Sequence, residues 1–475
     1  MSTSQTQFCQ TRRAHWDGVA RRLDHWRGWG GPYQRRLAEV YRFAVPPGLK
    51  VLELGCGPGE LLAALHPSLG VGVDLSLEML RRAKARHPEL HFVQGDAQTL
   101  RLHQRFDVII LSDLVNDLWD AQTVLENLGG MVHARSRVIL NSYSRLWEFP
   151  LALAQRLGLA KPSLQQNWFT PDDIAGLFQL TGFEPIRSWP EVLLPLRIPW
   201  LAAFANRILV RFWPFRHLAL TNFTIARPLP SGMAGAPPSV SVIVPARNEA
   251  GNIPRIFQLV PASLPGCELI FVEGHSQDNT YEVIYQQSEA QPQIRTQLHR
   301  QAGTGKGDAV RLGFAQAAGE ILAILDADLT VAAEDLPRFV AALTAGKADL
   351  VNGVRLVYPM EKEAMRYLNL MGNKLFGFGF SWLLGQKVRD TLCGTKVLWK
   401  SDYQRIAASR AHFGDFDPFG DFDLLFGAAR LNLKILDLPV RYHRREYGKT
   451  NIERWRHGWL LLRMLLFAMR RLKFV

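Results

Sequence analysis

The chain has 475 residues, of which 47% are hydrophobic and 21% charged, and its formal net charge is +13. This length exceeds what one hydrophobic core usually serves, and the composition excludes a disordered or collagen-like chain. Four widely separated cysteines exclude a disulfide framework. The sequence contains no stretch of about 18 uncharged apolar residues, so we do not expect a membrane-spanning helix.

Short apolar segments alternate with helix-like stretches from Leu49 onward. Five of these segments predict β-strands: LKVLELG, GVGVDLS, LHFVQGD, FDVIILSD and SRVILNSYS. The alternation is typical of a parallel sheet covered by helices. We therefore expect an α/β domain in the front half of the chain.

A glycine-rich turn, ELGCGPG, follows the first of these strands and contains Gly55, Gly57 and Gly59. Glycines allow a ligand to approach the backbone and adopt conformations that other residues avoid. Acidic residues then follow the next three strands, and these are Asp74, Asp96 and Asp113. An acid after the second strand can accept hydrogen bonds from ribose hydroxyls, and open sheets bind ligands at this edge. Each acid alone could cap a helix, but their order favours a nucleoside site.

The motifs ELGCGPG, VDLS and GDA resemble those of class I S-adenosylmethionine methyltransferases, and TPDDIAGLFQLTGFEPI resembles that family's late helix and sixth strand. The resemblance covers roughly residues 45–185. It implies a Rossmann-like fold and S-adenosyl-L-methionine as the cofactor. Its implied cofactor-binding residues are Glu53 under the loop, the three glycines at the methionine part, Asp74 at the ribose, Asp96 with Ala97 at the adenine, and Asp113.

The methyl acceptor is not readable from the sequence. LSDLVNDLWD follows the fourth strand and lacks the Asn/Asp-Pro-Pro-aromatic motif used on base amines, so we do not expect nucleic acid as a partner. No general base stands out, although methyl transfer from a sulfonium needs mainly proximity and alignment.

Residues 228–238, PLPSGMAGAPP, contain four prolines and two glycines without a charge and predict a linker. The strand–helix alternation restarts after it in VSVIVPARNE, CELIFVEG, EILAILDADL and ADLVNGVR. The sequence therefore predicts two tandem α/β domains, residues 1–227 and 239–475.

Two carboxylates, Asp326 and Asp328, end the strand EILAILDAD. Such a pair can bind Mg²⁺ or Mn²⁺ while the ion also contacts substrate phosphates. Other residues at predicted strand ends or loops are candidates for substrate binding: Pro245, Asn248, Glu249, Glu273, Asp278 and Lys306.

This ordered set resembles the family-2 glycosyltransferases with the GT-A fold, which use nucleotide-diphospho sugars. One departure is Glu273-Gly274-His275-Ser276, where many relatives carry two acids followed by Gly-Ser. Because one of the two acids is missing, the base of the nucleotide cannot be assigned.

RDTLCGTKVL, GDFDLLFGAARLNLKILDLPVRYHRREYGKTN and ERWRHGWLLLRML resemble polyprenyl-phosphate glycosyltransferases, such as the dolichol-phosphate mannose and glucose synthases. The resemblance covers about residues 239–460 and implies inverting sugar transfer to a lipid phosphate. It implies that Asp390, Asp421 and Asp423 line the acceptor side, where Asp421 or Asp423 would serve as base for a hydroxyl acceptor. Asp326 would contact substrate as well as metal, and Arg444, Arg445 and Lys449 would neutralise phosphate. The basic residues could instead form a solvated loop, and the Asp421/Asp423 pair could cap a helix.

Much of the positive charge lies in two apolar stretches. Residues 192–218 contain four arginines and no acid, and residues 454–475 contain six basic residues and no acid. Trp, Phe and Leu flanked by arginines are typical of a helix in the membrane interface. The alternative for each stretch is an amphipathic helix that packs on its own domain.

The leading hypothesis is a bifunctional enzyme of cell-surface glycan or glycolipid assembly, cytoplasmic and peripheral on the cytoplasmic face of the membrane. It would transfer a sugar to a polyprenyl phosphate or related lipid and methylate an unidentified acceptor. The alternative is a glycosyltransferase that acts on a saccharide or small-molecule hydroxyl, with the front half as a non-catalytic binding module.

Overall fold

The structure is a computed structural model that describes residues 3–23, 30–158, 163–196, 198, 200–230, 236–358, 367–410, 421–447 and 454–474. Between Leu229 and Pro230 the chain divides into two compact units. Lys449 of the predicted site lies outside the described residues, as does the side chain of Asp421.

The first unit consists of one sheet and its covering helices. Its elements in chain order are α1 (Thr3–Arg22), α2 (Gly30–Ala44), β1 (Lys50–Leu54), α3 (Glu60–Ala64), β2 (Leu69–Asp74), α4 (Leu77–Arg86), β3 (His91–Gln94), β4 (Phe106–Ser112), α5 (Ala121–Leu128), β5 (Val132–Tyr143), α6 (Glu148–Arg156), α7 (Pro171–Leu180), β6 (Phe183–Glu191), α8 (Leu201–Arg207) and β7 (Thr221–Pro228).

The strand order of this sheet is β3-β2-β1-β4-β5-β7-β6. The first five strands are parallel, and β7 is antiparallel to both of its neighbours. The order reverses between β1 and β4, so their carboxyl ends open a crevice of the kind in which α/β sheets bind ligands. The Rossmann-like α/β prediction and its six strands are confirmed, whereas β7 was not predicted.

Residues 192–218 do not form the single interfacial helix expected of them. Among the described residues of this stretch, α8 is the one α-helix, and two short 3₁₀ turns follow it at Leu209–Arg211 and Phe215–Leu218. Pro214 stands between the turns, and proline lacks the N–H that a continuing helix needs.

The second unit has the same layered plan. Its elements are β8 (Val240–Ala246), α9 (Ile253–Ser263), β9 (Glu268–Glu273), α10 (Thr280–Ala290), β10 (Thr296–Arg300), α11 (Lys306–Gln316), β11 (Ile321–Ile324), α12 (Leu336–Thr344), β12 (Leu350–Val354), α13 (Tyr367–Leu384), β13 (Lys396–Trp399), α14 (Lys400–Ala408), α15 (Asp421–Arg430), β14 (Ile435–Pro439) and α16 (Arg454–Ala468).

Its strand order is β10-β9-β8-β11-β13-β12-β14, with only β13 antiparallel to its neighbours. Successive residues of β8 enter the cores on opposite faces, Val242 on one side and Ile243 on the other, as strand geometry requires. The mixed α/β sheet agrees with the GT-A expectation, and β10, β13 and β14 were not predicted.

Helix α16 packs one face on its own unit, because Leu461, Met464 and Ala468 are buried in the same core as Phe380. Trp459 lies on its exposed side. Among the helices described, none is both long and apolar enough to cross a membrane.

Candidate functional sites

The glycine-rich turn of the first unit adopts the conformation expected of it. Gly55, Gly57 and Gly59 all have positive φ, at 72°, 50° and 76°. Gly57 N donates to Asp74 Oδ2 over 2.8 Å, and Ser76 N donates to Asp74 Oδ1 over 2.9 Å. A carboxylate oxygen can accept two hydrogen bonds, so Asp74 orders the loop and keeps capacity for ribose hydroxyls. Burial raises the pKa of Asp74, against these backbone hydrogen bonds.

Glu53 lies buried beneath this loop. Among the residues that the structure describes, its Oε2 atom has no hydrogen-bond partner. Burial, with a smaller contribution from the charge of Asp74, raises the pKa of Glu53 well above its usual value of 4.5. Glu53 therefore keeps its proton more readily in the folded protein than in the unfolded chain, while its side chain supports the turn from below.

Replacing Glu53 with Gln should change how stability depends on pH. The folded wild type retains a proton that the unfolded chain loses near pH 4.5, so its stability falls as pH rises from there towards the raised pKa. We expect Glu53→Gln to stabilise the folded first unit more at pH 8 than at pH 4.5. Hydrogen exchange of the β1 and β4 peptides in graded urea measures this, and an equal effect of the mutation at both pH values would contradict it.

Helix α1 lies over the carboxyl ends of β2, β3 and β4, a role that the sequence analysis missed. Cys9 Sγ donates to Asp96 Oδ2 over 3.1 Å, and Asp17 Oδ1 accepts from Ser76 Oγ over 2.5 Å. Asp96 also accepts from Gln98 N over 2.9 Å. Helix α1 thereby contacts the two loops predicted to hold ribose and adenine.

The same helix also binds the loop after β4. Arg12 Nη1 and Trp16 Nε1 donate to the two oxygens of Asp117, over 2.5 and 2.7 Å. Residues four apart share a helix face, so the spacing of Arg12 and Trp16 was a signal that could have indicated this contact.

Asp113 belongs to a buried polar cluster at the end of β4. Its φ is 54°, a conformation that residues with side chains rarely adopt and that often marks functional sites. Its Oδ1 accepts from Tyr33 OH over 2.7 Å and from Asn141 Nδ2. Tyr41 OH in turn donates to Asn141 Oδ1 over 2.7 Å. Burial and the charge of Asp113 raise the pKa of Tyr33 and of nearby Tyr143 well above 10.

Ala97, which was predicted to lie at the adenine with Asp96, is a buried core residue.

In the second unit, Lys306 and Asp326 form an ion pair of 2.5 Å between Nζ and Oδ1. Asp326 follows β11, and Lys306 begins α11. Burial opposes ionisation of Asp326, but Lys306 lowers the pKa of that carboxyl below its usual value. Gly394, which the sequence analysis quoted without assigning, lies against this pair: a Cβ there would meet both Asp326 Oδ2 and Lys306 Nζ.

Gly394→Ala should therefore push the ion pair apart. We expect kcat/KM for sugar transfer to fall about 10- to 100-fold, because small displacements of binding groups are costly in catalysis. The matched control is Gly372→Ala on α13, where a Cβ would meet nothing within 4 Å. Equal activities of the two variants would contradict this role of Gly394.

Arg445 connects the loops that follow β8 and β11. Its Nη1 donates to Glu249 Oε1 over 2.9 Å and its Nη2 to Asp328 Oδ2 over 2.6 Å. Burial raises the pKa of Glu249 to about 7, against the attraction of Arg445. Thr330 donates its N–H and its hydroxyl to Asp328 Oδ1, so both oxygens of Asp328 are engaged.

Three further predicted residues order the loops after β8 and β9. Asn248, at φ 57°, donates its N–H to Ser276 Oγ and accepts from Gln277 N. Glu273 Oε1 accepts from Ser276 N over 2.5 Å. Asp278 accepts from Thr280 N, Ala250 N and Tyr447 OH, and its pKa is lowered because these hydrogen bonds outweigh burial. Pro245 lies near the end of β8, without a polar side chain to contribute.

Two of the three acids predicted on the acceptor side, Asp390 and Asp423, are held by arginines. Arg355 donates to both carboxylate oxygens of fully buried Asp390, over 2.8 and 2.9 Å, and lowers its pKa despite burial. Arg410 Nε donates to Asp423 Oδ2 over 2.8 Å. Asp421 begins α15, and Arg444 is exposed on the loop before Arg445.

Asp326 and Asp328 fit a divalent cation by their chemistry. Both offer carboxylate oxygens, which suit Mg²⁺ or Mn²⁺, at the sheet edge that also carries Lys306 and Arg445. Within the described part of the chain, no group of three metal-ligating side chains occurs. The set fits an ion that takes one or two carboxylates and completes its shell with water and substrate phosphates.

The folds and sites define a chain of two α/β units. The first is Rossmann-like, with a glycine-rich turn ordered by an acid, and the second pairs acidic and basic side chains at one edge of its sheet. Residues 51–133 match the model of a methyltransferase domain, and residues 241–406 match that of glycosyl transferase family 2. An uncharacterized glycosyltransferase of Mycobacterium bovis is 35% identical over 218 residues, which are 45% of this chain and 89% of the relative. The chain belongs to glycosyl transferase family 2 through its second unit, and its first unit carries a methyltransferase domain.

Two other relatives match the second unit. The low-salt glycan biosynthesis hexosyltransferase Agl6 of Haloferax volcanii is 27% identical over 233 residues, 48% of this chain and 53% of Agl6. The chain thus spans about half the length of that relative. The polyprenol monophosphomannose synthase of Mycolicibacterium smegmatis is 27% identical over 217 residues, 44% of this chain and 80% of the synthase.

A solved S-adenosylmethionine-dependent methyltransferase from Mesorhizobium loti matches this chain with 19% identity and a TM-score of 0.32. The match covers 40% of this chain and 96% of the solved one. No conclusion about function rests on a likeness at that level.

Proposed function

We propose that the chain is a bifunctional enzyme that transfers a sugar from a nucleotide-diphospho sugar to a polyprenyl phosphate or related lipid and methylates a second acceptor with S-adenosyl-L-methionine. One observation carries the proposal for the second unit. Lys306 and Arg445, from distant parts of the chain, pair with Asp326 and Asp328 at one edge of the sheet. The similarity of the chain to a polyprenol monophosphomannose synthase supports a lipid phosphate as the sugar acceptor.

The basic residues of the site would bind the diphosphate of the donor. Lys306 and Arg445 already face carboxylates, so the phosphates would replace one anionic partner with another. A divalent cation on Asp326 and Asp328 would supply Lewis-acid stabilisation of the leaving diphosphate. Arg445 has a forked donor group that suits phosphate, and exposed Arg444 beside it adds positive charge on the same loop.

The state of the acceptor-side acids favours a phosphate acceptor. Asp390 and Asp423 are each held by an arginine, and the lowered pKa of Asp390 makes it a weak base. A hydroxyl acceptor would need such a base, whereas a lipid phosphate attacks as an anion and needs none. We therefore assign Asp390 the role of positioning Arg355 rather than of accepting a proton. The attack of the lipid phosphate would invert the configuration at the anomeric carbon of the sugar.

In the first unit, the glycine-rich turn and Asp74 would hold S-adenosyl-L-methionine. The ordered loop and the contacts of α1 would provide the alignment that methyl transfer needs. The cluster around Asp113 lies at the ligand-binding edge of the sheet and would face the acceptor. Both reactions would occur at the cytoplasmic face of a membrane. The exposed apolar residues of the chain support contact with a membrane surface.

The test is to incubate the full chain and Mn²⁺ with radiolabelled nucleotide sugars, one at a time, and vesicles that contain polyprenyl phosphate. We expect one donor to yield label that is extracted with the lipid, and none without polyprenyl phosphate. Label that appears only on a water-soluble saccharide would contradict the lipid acceptor.

A further inference from the structure

The first unit exposes a large apolar surface that its proposed chemistry does not use. One part is α6 with its preceding turn, where Phe149 is 78% exposed and Leu157 63%. The other part is residues 198–218, where Trp200 is 90% exposed and Trp213 78%. Exposed apolar patches of this kind mark interaction sites on proteins. We name residues 145–157 and 198–218 together the apolar surface.

The two parts are joined into one surface. Trp147 Nε1, at the start of α6, donates to the carbonyl of Leu218 over 2.9 Å. Ser144 N, just before it, donates to the carbonyl of Leu220 over 2.8 Å. These hydrogen bonds fix the turn before α6 against the end of the 198–218 segment.

The charges on this surface are mostly positive. Arg145, Arg156 and Arg216 are exposed on it, against one exposed acid, Glu148. Arg211 is different, because it is buried in an ion pair with Glu191 and serves the fold. Tryptophan and phenylalanine bordered by exposed arginine are the composition of a surface that enters the interface of an anionic bilayer.

The apolar surface also borders the methyl-acceptor side of the unit. Strand β5 carries Asn141, which donates to Asp113, and Tyr143, whose pKa Asp113 helps to raise. Arg145, on the surface, follows Tyr143 by two residues, so their Cα atoms are at most about 7.6 Å apart. A molecule held in the bilayer at this surface would therefore be next to the Asp113 cluster.

We propose that the apolar surface inserts into an anionic bilayer and that the methyltransferase unit takes its methyl acceptor, an amphiphilic lipid, from that bilayer. This inference rests on the proposed methyltransferase activity. An oxygen or nitrogen of the lipid forms the bond to the methyl carbon, and the carbon–sulfur bond breaks with its electron pair left on sulfur. The products are S-adenosylhomocysteine, the methylated lipid and a proton released to water.

The first experiment is flotation of the full chain with vesicles of phosphatidylglycerol and phosphatidylcholine. We expect the wild type to float and the double variant Phe149→Glu/Trp200→Glu to lose at least nine-tenths of its vesicle-bound fraction. The matched control is Leu180→Glu on α7, a residue 72% exposed outside the apolar surface, which should float like the wild type. Equal flotation of wild type and double variant would overturn the proposal. So would a wild-type dimer that the double variant dissociates, because a second copy would then cover the surface.

The second experiment uses methyl-labelled S-adenosylmethionine and vesicles made from a total lipid extract of the source cells. We expect lipid-extractable label with the wild type and Leu180→Glu, and at least a ten-fold loss with the double variant at unchanged affinity for S-adenosylmethionine. Absence of lipid label from a wild type that binds S-adenosylmethionine would overturn the lipid acceptor. Failure of the wild type to bind S-adenosylmethionine would instead refute the proposed function on which this inference rests.

Discussion

Asp328→Asn is expected to abolish sugar transfer, with kcat/KM lower by about 1,000-fold. Asp328 accepts from Arg445 over 2.6 Å and is one of two carboxylates suited to a divalent cation. Asparagine keeps the size of the side chain but removes its charge and replaces one acceptor oxygen with a donor. The residual rate is measured with saturating Mn²⁺ and the donor that the wild type uses.

The control for this change is Asp335→Asn. Asp335 is also an acid that follows β11, but it pairs with Arg338 at an exposed position. Exposed ion pairs contribute little to stability, so this variant should keep its activity. If Asp328→Asn retained more than about a tenth of the wild-type rate, Asp328 would have no part in holding metal or phosphate.

Asp74→Asn is expected to weaken binding of S-adenosyl-L-methionine about 100-fold. Both carboxylate oxygens of Asp74 accept from backbone N–H groups of the ligand loop, and the remaining lone pairs would accept from the ribose. In the variant, an amide N–H group would face a backbone N–H or a ribose hydroxyl where the wild type has an acceptor oxygen. Losing a hydrogen bond to a charged group costs about 1.5–3 kcal/mol.

Calorimetric titration with S-adenosylhomocysteine measures this loss. The matched control is Asp107→Asn: Asp107 is also in the first sheet, but it accepts from Lys50 N and contacts His133 near the amino ends of the strands. Equal affinities of both variants would mean that the ligand does not lie over β2.

Much of the fold could be predicted because buried parallel strands are apolar and end at recognisable polar turns. ELGCGPG and EILAILDAD each combine such a strand with ligand-binding residues in one short segment. Strands β10 and β14 were harder, because they lie at the two edges of the sheet and are only partly buried, so they lack a strongly apolar pattern. Strand β13 is antiparallel to both of its neighbours and so falls outside the regular strand–helix alternation. Strand β7 follows residues 192–218, whose Trp, Phe and Leu flanked by arginines indicated a helix in the membrane interface and no strand.

Contacts between distant residues could not be predicted from local pattern. Arg445 is 196 residues from Glu249, and no local motif indicates that one guanidinium joins that acid to Asp328. Arg355 was not identified at all, although it occupies both oxygens of Asp390 and so changes the role that the sequence suggested for that acid. Helix α1 carries basic and aromatic residues, but its position over three strand ends depends on tertiary packing and could not be predicted from the sequence.

The central claim is that one chain contains two separate ligand sites for two transfer reactions. Its most direct test is calorimetric titration of the wild type, Asp74→Asn and Asp328→Asn with S-adenosylhomocysteine, and with UDP or GDP in the presence of Mn²⁺. We expect the wild type to bind S-adenosylhomocysteine and one nucleotide at one site each. Asp74→Asn should lose binding of S-adenosylhomocysteine only, and Asp328→Asn should lose binding of the nucleotide only. Loss of both ligands in either variant, or a wild type that binds neither, would contradict the account.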